Sequence, residues 1–353
     1  VRRLLENGAN SSFINKMNNK DLSPKELVSD PMLEFEQTKG HMHPNIPLPI
    51  NLFKDRFNSR GDDLFYATDL KQIDQDCKNI KTKYKANALN LKVADTSLDK
   101  VDQIVKNAKK AYLKFSKTSV HSRAEKLNKL ADLINEHRTY FYELMIKEAG
   151  KSMPNAISEV REAMDFCRYY AQEAIKLLDK PQSLPGPTGE DNSFRYESRG
   201  VIVSISPWNF PLAIFLGGVS ASLACGNCVV AKPAEQTPKI AQFAIDLCHQ
   251  AGFDKHEVQG VYGLGETHGD ALIKHADIDG VIFTGSTMTA QIINKTLAAR
   301  DGAILPLIAE TGTLRCANTG PQSTSSVTQC TEQPVSVSLL SKTAWCTLKS
   351  IKP

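Results

Sequence analysis

The stretch at residues 201–238 constrains the fold of this chain more than any other part of its sequence. It contains an apolar, β-branched run at 201–206, a run of small residues at 211–225 and a second apolar run at 228–231. This pattern predicts a strand, a helix and a second strand, which together form a βαβ unit with parallel strands. Ligands of such sheets bind beyond the carboxyl ends of the strands, so the residues that follow each run are the first candidates for a site.

The rest of the predicted sheet follows from apolar runs that alternate with helical patterns. Further strands are expected at 259–262, 280–283 and 303–309. Helices are expected at 240–251, 269–275 and 289–299. Five strands that alternate with helices predict an α/β fold with a doubly wound parallel, Rossmann-like sheet.

The chain before this unit is predicted to be a linker followed by a helical scaffold. Apolar residues recur at spacings of three and four over residues 98–178, which is the period of amphipathic helices, so the charged residues between them are expected on solvated faces. Residues 40–51 are rich in proline and predict an extended linker, and residues 84–93 are a candidate strand. Residues 1–30 predict the end of one helix and a short second helix.

The composition is that of a soluble globular protein. Hydrophobic residues make up 41% of the chain, charged residues 23%, and the formal net charge is only +4. No apolar run reaches the roughly 18 residues of a membrane-spanning helix, and the N-terminus shows no signal-peptide pattern. The eight cysteines are scattered, which suits a reducing cytoplasm. We therefore expect a cytoplasmic protein without a nucleic-acid partner or a transmembrane segment, and the missing initiator methionine predicts a piece of a longer chain.

Side chains at the ends of the predicted strands suit a nucleotide cofactor. Lys232 can donate to ribose hydroxyls and Glu235 can accept from them, and a carboxylate at this place favours NAD over NADP. The Thr-Gly-Ser turn at 284–286 opens a predicted helix, whose first N–H groups can bind a pyrophosphate. Gly263 and Gly265 also follow a strand, but the full dinucleotide fingerprint is absent and a Gly-x-Gly pair alone is a weak signal.

Two residues at strand ends are candidates for catalysis. The side-chain amide of Asn209, which follows a rigid Pro-Trp turn, can stabilise an oxyanion, and Glu310 can activate water as a general base. The alternatives are structural, because an asparagine in this context is often a turn residue and a glutamate before Thr-Gly often caps a helix or turn.

Two other groups have the spacing of metal or redox sites. Cys225 and Cys228 form a CxxC pair, but they are flanked by apolar residues, so packed core thiols are favoured over redox or zinc chemistry. His41 and His43 lie beside prolines and are interpreted as linker residues rather than metal ligands.

Four short motifs together resemble the aldehyde dehydrogenase superfamily in order and spacing. They are SPWNFP at 206–211, KPAE at 232–235, FTGS at 283–286 and ETG at 310–312. The resemblance implies an incomplete aldehyde dehydrogenase fold, an NAD cofactor and a small-molecule aldehyde substrate. It also implies that Asn209 is the oxyanion-hole donor and Glu310 the base that activates the deacylating water.

The implied cofactor site lies at the carboxyl edge of the predicted sheet. Lys232 and Glu235 would hold the adenosine ribose and Ser286 the pyrophosphate, while Gly285 would allow close backbone approach and the Pro-Trp turn would line the NAD cleft. The candidate cofactor-binding residues are Ser206, Pro207, Trp208, Lys232, Glu235, Gly265, Gly285 and Ser286. No metal site is expected.

Further segments resemble the glutamate semialdehyde (1-pyrroline-5-carboxylate) dehydrogenase part of the bifunctional proline utilization A enzymes. They are residues 148–151, 159–165 and 231–238. The N-terminus resembles the last helix of the proline dehydrogenase barrel of those enzymes, where Arg2 and Arg3 would have paired with the proline carboxylate. The resemblance implies NAD-dependent oxidation of L-glutamate γ-semialdehyde to glutamate in proline catabolism, with FAD only in the missing proline dehydrogenase part. It also implies a homo-oligomeric parent, cytoplasmic or peripheral at the inner membrane.

The sequence departs from the superfamily after Gly312. The nucleophilic cysteine of the family lies in a Gly-Gln-Arg-Cys loop, which is absent here. Residues 313–353 are instead rich in Ser, Thr and Gln. If the reading frame of codons 331–342 is shifted by two bases, the genetic code permits the Gly-Gln-Arg loop, but it excludes cysteine at the position that follows. We therefore expect a frameshifted, disordered tail and an inactive chain. The alternatives are a non-catalytic NAD-binding or assembly fragment and a pseudogene-like product without function.

These observations predict a chain of several parts. They are a remnant of the proline dehydrogenase barrel at 1–40, a linker and the start of the aldehyde dehydrogenase domain at 41–97, its helical part at 98–195, the NAD-binding sheet at 196–312 and the aberrant tail at 313–353.

Overall fold

The computed structural model describes residues 17, 19, 21–24, 30–39, 46–83, 92–312 and 346–350. The chain forms two compact units, Val1–Leu52 and Phe53–Pro353. Helix α1 (Pro31–Thr38) of the first unit was not predicted; a proline opens its first turn, and Asp30 caps it by accepting a hydrogen bond from the Met32 N–H at 2.9 Å. A 3₁₀ turn (Pro49–Asn51) lies within the predicted linker. Outside the described residues lie Arg2, Arg3, His41, His43, residues 84–91 of the candidate strand and most of the helices predicted for 1–30.

The second unit contains the helical scaffold predicted for residues 98–178. Its helices are α2 (Ala67–Lys83), α3 (Leu98–Phe115), α4 (Val120–Glu136), α5 (Arg138–Ala149) and α6 (Met153–Leu178). Helices α3 to α6 confirm the prediction. Helix α2 was missed because, of its described side chains, only Ile73 and Ile80 are buried, so its apolar period is weak. Within the described ranges, no helix is apolar for long enough to span a bilayer.

The strands of the described residues form two sheets. They are β1 (Gln182–Leu184), β2 (Asn192–Ser198), β3 (Val201–Ile205), β4 (Cys228–Lys232), β5 (Val258–Gly260), β6 (Gly280–Gly285), β7 (Leu307–Thr311) and β8 (Cys346–Ser350). The helices among them are α7 (Ala213–Ala224), α8 (Pro238–Ala251), α9 (Asp270–Lys274) and α10 (Thr287–Ala298).

Strands β3 to β7 form the predicted parallel sheet, in the order β5-β4-β3-β6-β7. The chain moves outward from β3 to β5 and then returns across β3 to β6 and β7. The order therefore reverses between β3 and β6, which is the switch point where doubly wound sheets bind ligands. The predicted α/β fold and its central βαβ unit are confirmed.

The second sheet was not predicted. It is antiparallel, in the order β1-β2-β8, with Gln182 opposite Phe194 and Phe194 opposite Ser350. The expectation of a disordered tail is therefore wrong for residues 346–350, whose backbone pairs with β2, while the rest of the tail lies outside the described residues. Strands β1 and β2 are exposed or half-buried throughout, so they lack the buried apolar run that revealed the parallel strands.

Small residues let helix α7 pack closely on the sheet. A Cβ atom added to Gly218 would lie 2.4 Å from the Ser204 hydroxyl oxygen on β3, and another residue of this helix, Ser220, is fully buried. The helix is therefore buried nearly all round, which explains why it shows no amphipathic stripe. This packing fixes the segment between β3 and α7, where the motif SPWNFP lies.

Glu148, at the end of α5, caps helix α8. Its carboxylate accepts hydrogen bonds from the backbone N–H groups of Lys239 at 3.0 Å and Ile240 at 3.1 Å. Burial raises the pKa of Glu148 even though these two hydrogen bonds oppose the shift. Helix α8, which follows the ribose-binding candidates Lys232 and Glu235, is thus capped by a carboxyl group whose ionised form is disfavoured by burial.

Replacing Glu148 by glutamine is expected to change how stability depends on pH. Because the pKa is raised in the folded state, the contribution of Glu148 is present below the unfolded pKa and is lost as pH rises through the folded pKa. The amide does not titrate, so the stability of Glu148→Gln relative to wild type should rise as the pH increases from about 4, the ordinary pKa of a glutamate, through the raised folded pKa. Urea unfolding at several pH values measures this difference; a difference that stays constant over the range would contradict the prediction.

Candidate active site

The carboxyl ends of β3 and β4 place a lysine and a serine side by side. The backbone N–H of Ser206 donates to the carbonyl oxygen of Lys232 at 3.2 Å. The Lys232 side chain is only 2% exposed, and its ammonium donates to the carbonyl oxygen of Pro233 at 3.1 Å and to Glu235 Oε2 at 3.3 Å. A buried cation with one carboxylate partner therefore lies at the edge where the sheet is expected to bind ligands.

The electrostatics of this pair favour an uncharged, hydroxyl-bearing ligand. Burial lowers the pKa of Lys232, and the carboxylates of Glu235 and Asp95 only partly oppose it. For Glu235 burial acts in the opposite sense, but its own backbone N–H and the Lys232 ammonium outweigh it and lower the pKa. Side by side, the Lys232 amine and the Glu235 carboxylate offer a ligand one donor and one strong acceptor.

Two further features suit a polar ligand beside Lys232: a glycine without a side chain and a hydroxyl without a hydrogen-bond partner. A Cβ atom added to Gly265 would lie 4.0 Å from Lys232 Nζ, so the backbone of this glycine passes close to the ammonium. The hydroxyl of Ser206 is buried and makes no hydrogen bond with any described residue. Buried polar atoms are normally paired, so this hydroxyl fits a site that is completed by a polar ligand.

The end of β6 leads directly into helix α10. Ser286 is the N-cap, and its hydroxyl accepts from the Thr289 N–H at 3.1 Å and lies 2.8 Å from Thr289 Oγ1. A Cβ atom added to Gly285 would lie 2.6 Å from the Phe283 ring, so only glycine fits there without a shift. The Ser286 hydroxyl is thus already used by its own helix. The role of this turn in binding a pyrophosphate stays a prediction.

The turn after β3 exposes Asn209 and the neighbouring Trp208, which is 54% exposed. The amide oxygen of Asn209 accepts from the Phe210 N–H at 3.1 Å. This bond supports the interpretation as a turn residue, and it also leaves the amide N–H₂ as the end of the side chain that can donate to a ligand. The two interpretations are therefore compatible.

A buried ion pair holds this turn from behind. Glu159 on α6 is 1% exposed, and its Oε1 accepts from the backbone N–H groups of Leu212 at 2.7 Å and Ala213 at 3.2 Å. Lys151 Nζ lies 2.6 Å from Glu159 Oε2 and 4.1 Å from the centre of the Phe210 ring. The start of α7, and with it the position of Asn209, is thus fixed by side chains that precede it in the chain.

Glu310 lies on β7, directly opposite Thr284 of β6. Its side chain is exposed, and Oε2 accepts a long hydrogen bond of 3.4 Å from the Thr284 hydroxyl. In the described part of the chain the carboxylate therefore meets a neighbouring strand rather than a helix N-terminus, which disfavours a helix-capping role. An exposed carboxylate at a strand end is able to accept a proton from water.

Comparison with known proteins agrees with this arrangement. Residues 74–315 match the family model described as "Aldehyde dehydrogenase family". The chain belongs to the aldehyde dehydrogenase family. It is 38% identical over 345 residues to "Bifunctional protein PutA" of Salmonella typhimurium (strain LT2), a match that covers 88% of this chain and 25% of that protein. The chain thus spans about a quarter of the length of this relative.

Two other relatives extend the comparison. The "1-pyrroline-5-carboxylate dehydrogenase" of Staphylococcus aureus (strain MW2) is 31% identical over 291 residues, covering 80% of this chain and 56% of that protein. A crystal structure of "bifunctional proline utilization A (PutA) protein" superposes with a TM-score of 0.79 at 46% identity, covering 88% of this chain and 31% of that one. The resemblance to these enzymes inferred from the motifs is confirmed.

The two cysteines of the CxxC pair in this aldehyde dehydrogenase chain are part of its packing. Cys228 is fully buried, and burial raises the pKa of its thiol, so the thiolate needed for redox or zinc chemistry is disfavoured. Cys225 contacts the small apolar cluster of Ile202, Ala221 and Ile282. The interpretation as core thiols is supported.

Sequence reasoning missed a cleft along helix α6 of this aldehyde dehydrogenase chain. The cleft has a volume of about 540 Å³ and is lined by Arg56, Ser158, Arg161, Glu162, Asp165, Phe166 and Tyr169. Burial raises the pKa of Glu162, and the charges of Glu159 and Glu310 add to the shift. The charges of α6 were expected on a solvated face, which holds for Arg161 and Glu162, both exposed, and is wrong for Glu159, which is 1% exposed. The signal was the mixture of charged and aromatic residues on one side of α6.

Proposed function

We propose that this chain is the nucleotide-binding part of an NAD-dependent aldehyde dehydrogenase for L-glutamate γ-semialdehyde (1-pyrroline-5-carboxylate). The names of its relatives suggest this substrate and a place in proline catabolism. The observation that carries the cofactor proposal is the ion pair of the buried Lys232 with the exposed Glu235, beside the unpaired Ser206 hydroxyl and the Gly265 backbone. These groups fit two vicinal ribose hydroxyls, which both donate and accept hydrogen bonds.

Each group of the site has a separate task in this proposal. Lys232 and Glu235 bind the adenosine ribose, and the first N–H groups of α10 face the pyrophosphate. In an enzyme that also supplies the nucleophilic cysteine, Asn209 would donate to the oxyanion that forms when the thiolate adds to the aldehyde, and Glu310 would take a proton from the water that hydrolyses the resulting thioester. When bound, NAD supplies the acceptor for the hydride of the substrate.

We propose further that the chain binds NAD without oxidising the aldehyde. Of the described thiols, Cys167, Cys228 and Cys248 are buried and Cys77 is half-buried, and burial raises the pKa of all four, to about 11 for Cys77 and to about 12 for Cys167. The fifth, Cys225, is half-buried and packs against the apolar cluster that contains Ile202. The cysteines that follow Glu310 are Cys316, Cys330 and Cys346, and the sequence around them lacks the nucleophile loop of the family.

Titration of the full chain with NAD is expected to quench the fluorescence of the exposed Trp208 in a saturable way. NADP should bind at least about tenfold more weakly, because its ribose phosphate would meet the Glu235 carboxylate. Glu235→Gln should reduce this preference, while Glu266→Gln, which removes an exposed charge nearby, should retain it. Equal affinity for the two nucleotides would contradict the assignment of Glu235.

Addition of 1-pyrroline-5-carboxylate to the NAD-saturated chain is expected to give no NADH, measured by absorbance. The reason is the missing thiolate nucleophile. A clear rate that disappears on alkylation of a tail cysteine would overturn the proposal of an inactive chain. Absence of NAD binding would instead overturn the cofactor proposal, so the two failures are distinguishable.

A further inference from the structure

The turn that carries Gly265 is held by a buried histidine. This turn (Gly265–Gly269) is a short π-helical segment between β5 and α9. His268 is 7% exposed, and its Nε2 lies 2.6 Å from the carbonyl oxygen of Thr96, with the Thr267 hydroxyl 2.9 Å from its Nδ1. A carbonyl oxygen can only accept, so Nε2 carries the proton and donates.

Thr96 ties its own segment to the same loop in two further places. Its backbone N–H donates to the Tyr262 carbonyl oxygen at 2.9 Å, and its hydroxyl accepts from the Tyr262 N–H at 3.0 Å. Together with the bond from His268, these contacts attach the loop 262–268 to the residues just before α3. The neighbouring Asp95 is close enough to oppose the lowering of the Lys232 pKa, so this segment borders the ribose-binding pair.

The imidazole ring also shapes the loop by contact. Gly263 has φ +134°, and a Cβ atom added to it would lie 2.3 Å from the ring of His268. The ring therefore occupies the space that a side chain at 263 would need. A glycine-rich loop has many conformations to lose, and the ring and its hydrogen bonds select one of them before any ligand binds.

We propose that His268 is a positioning residue for the nucleotide site, acting with Thr96 to hold Gly265 beside Lys232. This inference rests on the proposed NAD site but assigns a task to residues that do not touch the nucleotide. Without the imidazole, the loop 262–268 would sample other conformations, and NAD would have to order it on binding. Affinity for NAD would fall even though Lys232 and Glu235 are unchanged.

The test compares His268→Ala with His268→Gln and with a matched control, His249→Ala. His249 on α8 makes the same kind of bond, from its Nε2 to the Val258 carbonyl oxygen at 3.0 Å, but to strand β5 and not to the loop itself. We expect His268→Ala to weaken NAD binding about tenfold, His249→Ala by less than about twofold, and His268→Gln to recover most of the affinity because its amide can still donate to Thr96. Equal losses in His268→Ala and His249→Ala would overturn the proposal.

Hydrogen exchange without nucleotide gives a readout that does not depend on NAD. Amides of residues 262–268 should exchange faster in His268→Ala and not in His249→Ala. Thr96→Val, which keeps the shape of the side chain and removes the acceptor for Tyr262, should show the same effect if His268→Ala does not fold. Unchanged exchange in this loop would overturn the proposal. Faster exchange in a chain that fails to bind NAD would support the role of His268 in holding the loop and would refute the cofactor assignment.

Discussion

Replacing Glu159 by alanine is expected to lower the free energy of unfolding by about 3–5 kcal/mol. The carboxylate is 1% exposed, pairs with Lys151 at 2.6 Å and accepts from the backbone N–H groups of Leu212 and Ala213. Its removal leaves a nearly buried ammonium and two helix N-terminal donors without their acceptor. An unpaired buried charge and unpaired buried donors each lower the free energy of unfolding strongly.

Chemical denaturation of wild type and Glu159→Ala measures the effect. The matched control is Glu173→Ala on the same helix, because Glu173 pairs with Lys176 at 2.9 Å near the surface, where such pairs contribute about 1 kcal/mol or less. The double variant Lys151→Met/Glu159→Gln should recover part of the loss, since no charge stays buried. A loss in Glu159→Ala no larger than in Glu173→Ala would show that the pair does not support the start of α7.

The same ion pair connects stability to the candidate chemistry. The turn with Asn209 lies between β3, which the sheet fixes, and α7, whose first N–H groups Glu159 holds. An oxyanion donor is effective only when it is positioned before the reaction. The Glu159 carboxylate therefore positions Asn209 indirectly, by holding the backbone at the start of α7.

Patterns of local residues predicted the parallel sheet well. Runs such as Val201–Ile205 are mostly buried and are apolar at every position except Ser204, and the small residues of the helix that follows predict close packing on the sheet. Strands β1 and β2 were missed because they are exposed or half-buried and do not alternate cleanly. Helix α2 was missed because few of its residues face the core.

The site was only partly predictable for a related reason. Lys232 and Ser206 follow buried strands, and the rule for carboxyl ends of parallel strands brings them together without knowledge of any long-range contact. Glu159 and His268 bind backbone groups far away in sequence, at Leu212 and Thr96. No local sequence pattern predicts such hydrogen bonds. The supporting residues of this site could therefore be found only from the fold.

Replacing Lys232 by methionine is expected to separate affinity from stability. Hydrogen bonds that involve a charged donor contribute about 1.5–3 kcal/mol, so loss of the ammonium should weaken NAD binding about 10–100-fold. Stability should not fall in parallel, because the side chain is 2% exposed and burial lowers its pKa, which means that the fold already disfavours the charge. Methionine keeps the length and the apolar contacts of the side chain.

The pH dependence gives the sign of the stability effect. With a folded pKa below the unfolded value, the stability linked to Lys232 is present at alkaline pH and is lost as pH falls through the folded pKa. The stability of Lys232→Met relative to wild type should therefore increase as the pH falls from about 11 towards neutrality. Calorimetric titration with NAD and thermal unfolding over this range measure both effects, with Lys295→Met as the control, since that lysine is exposed at the far end of α10. If Lys232→Met binds NAD as tightly as Lys295→Met does, the Lys232–Glu235 pair at the end of β4 is not the ribose site.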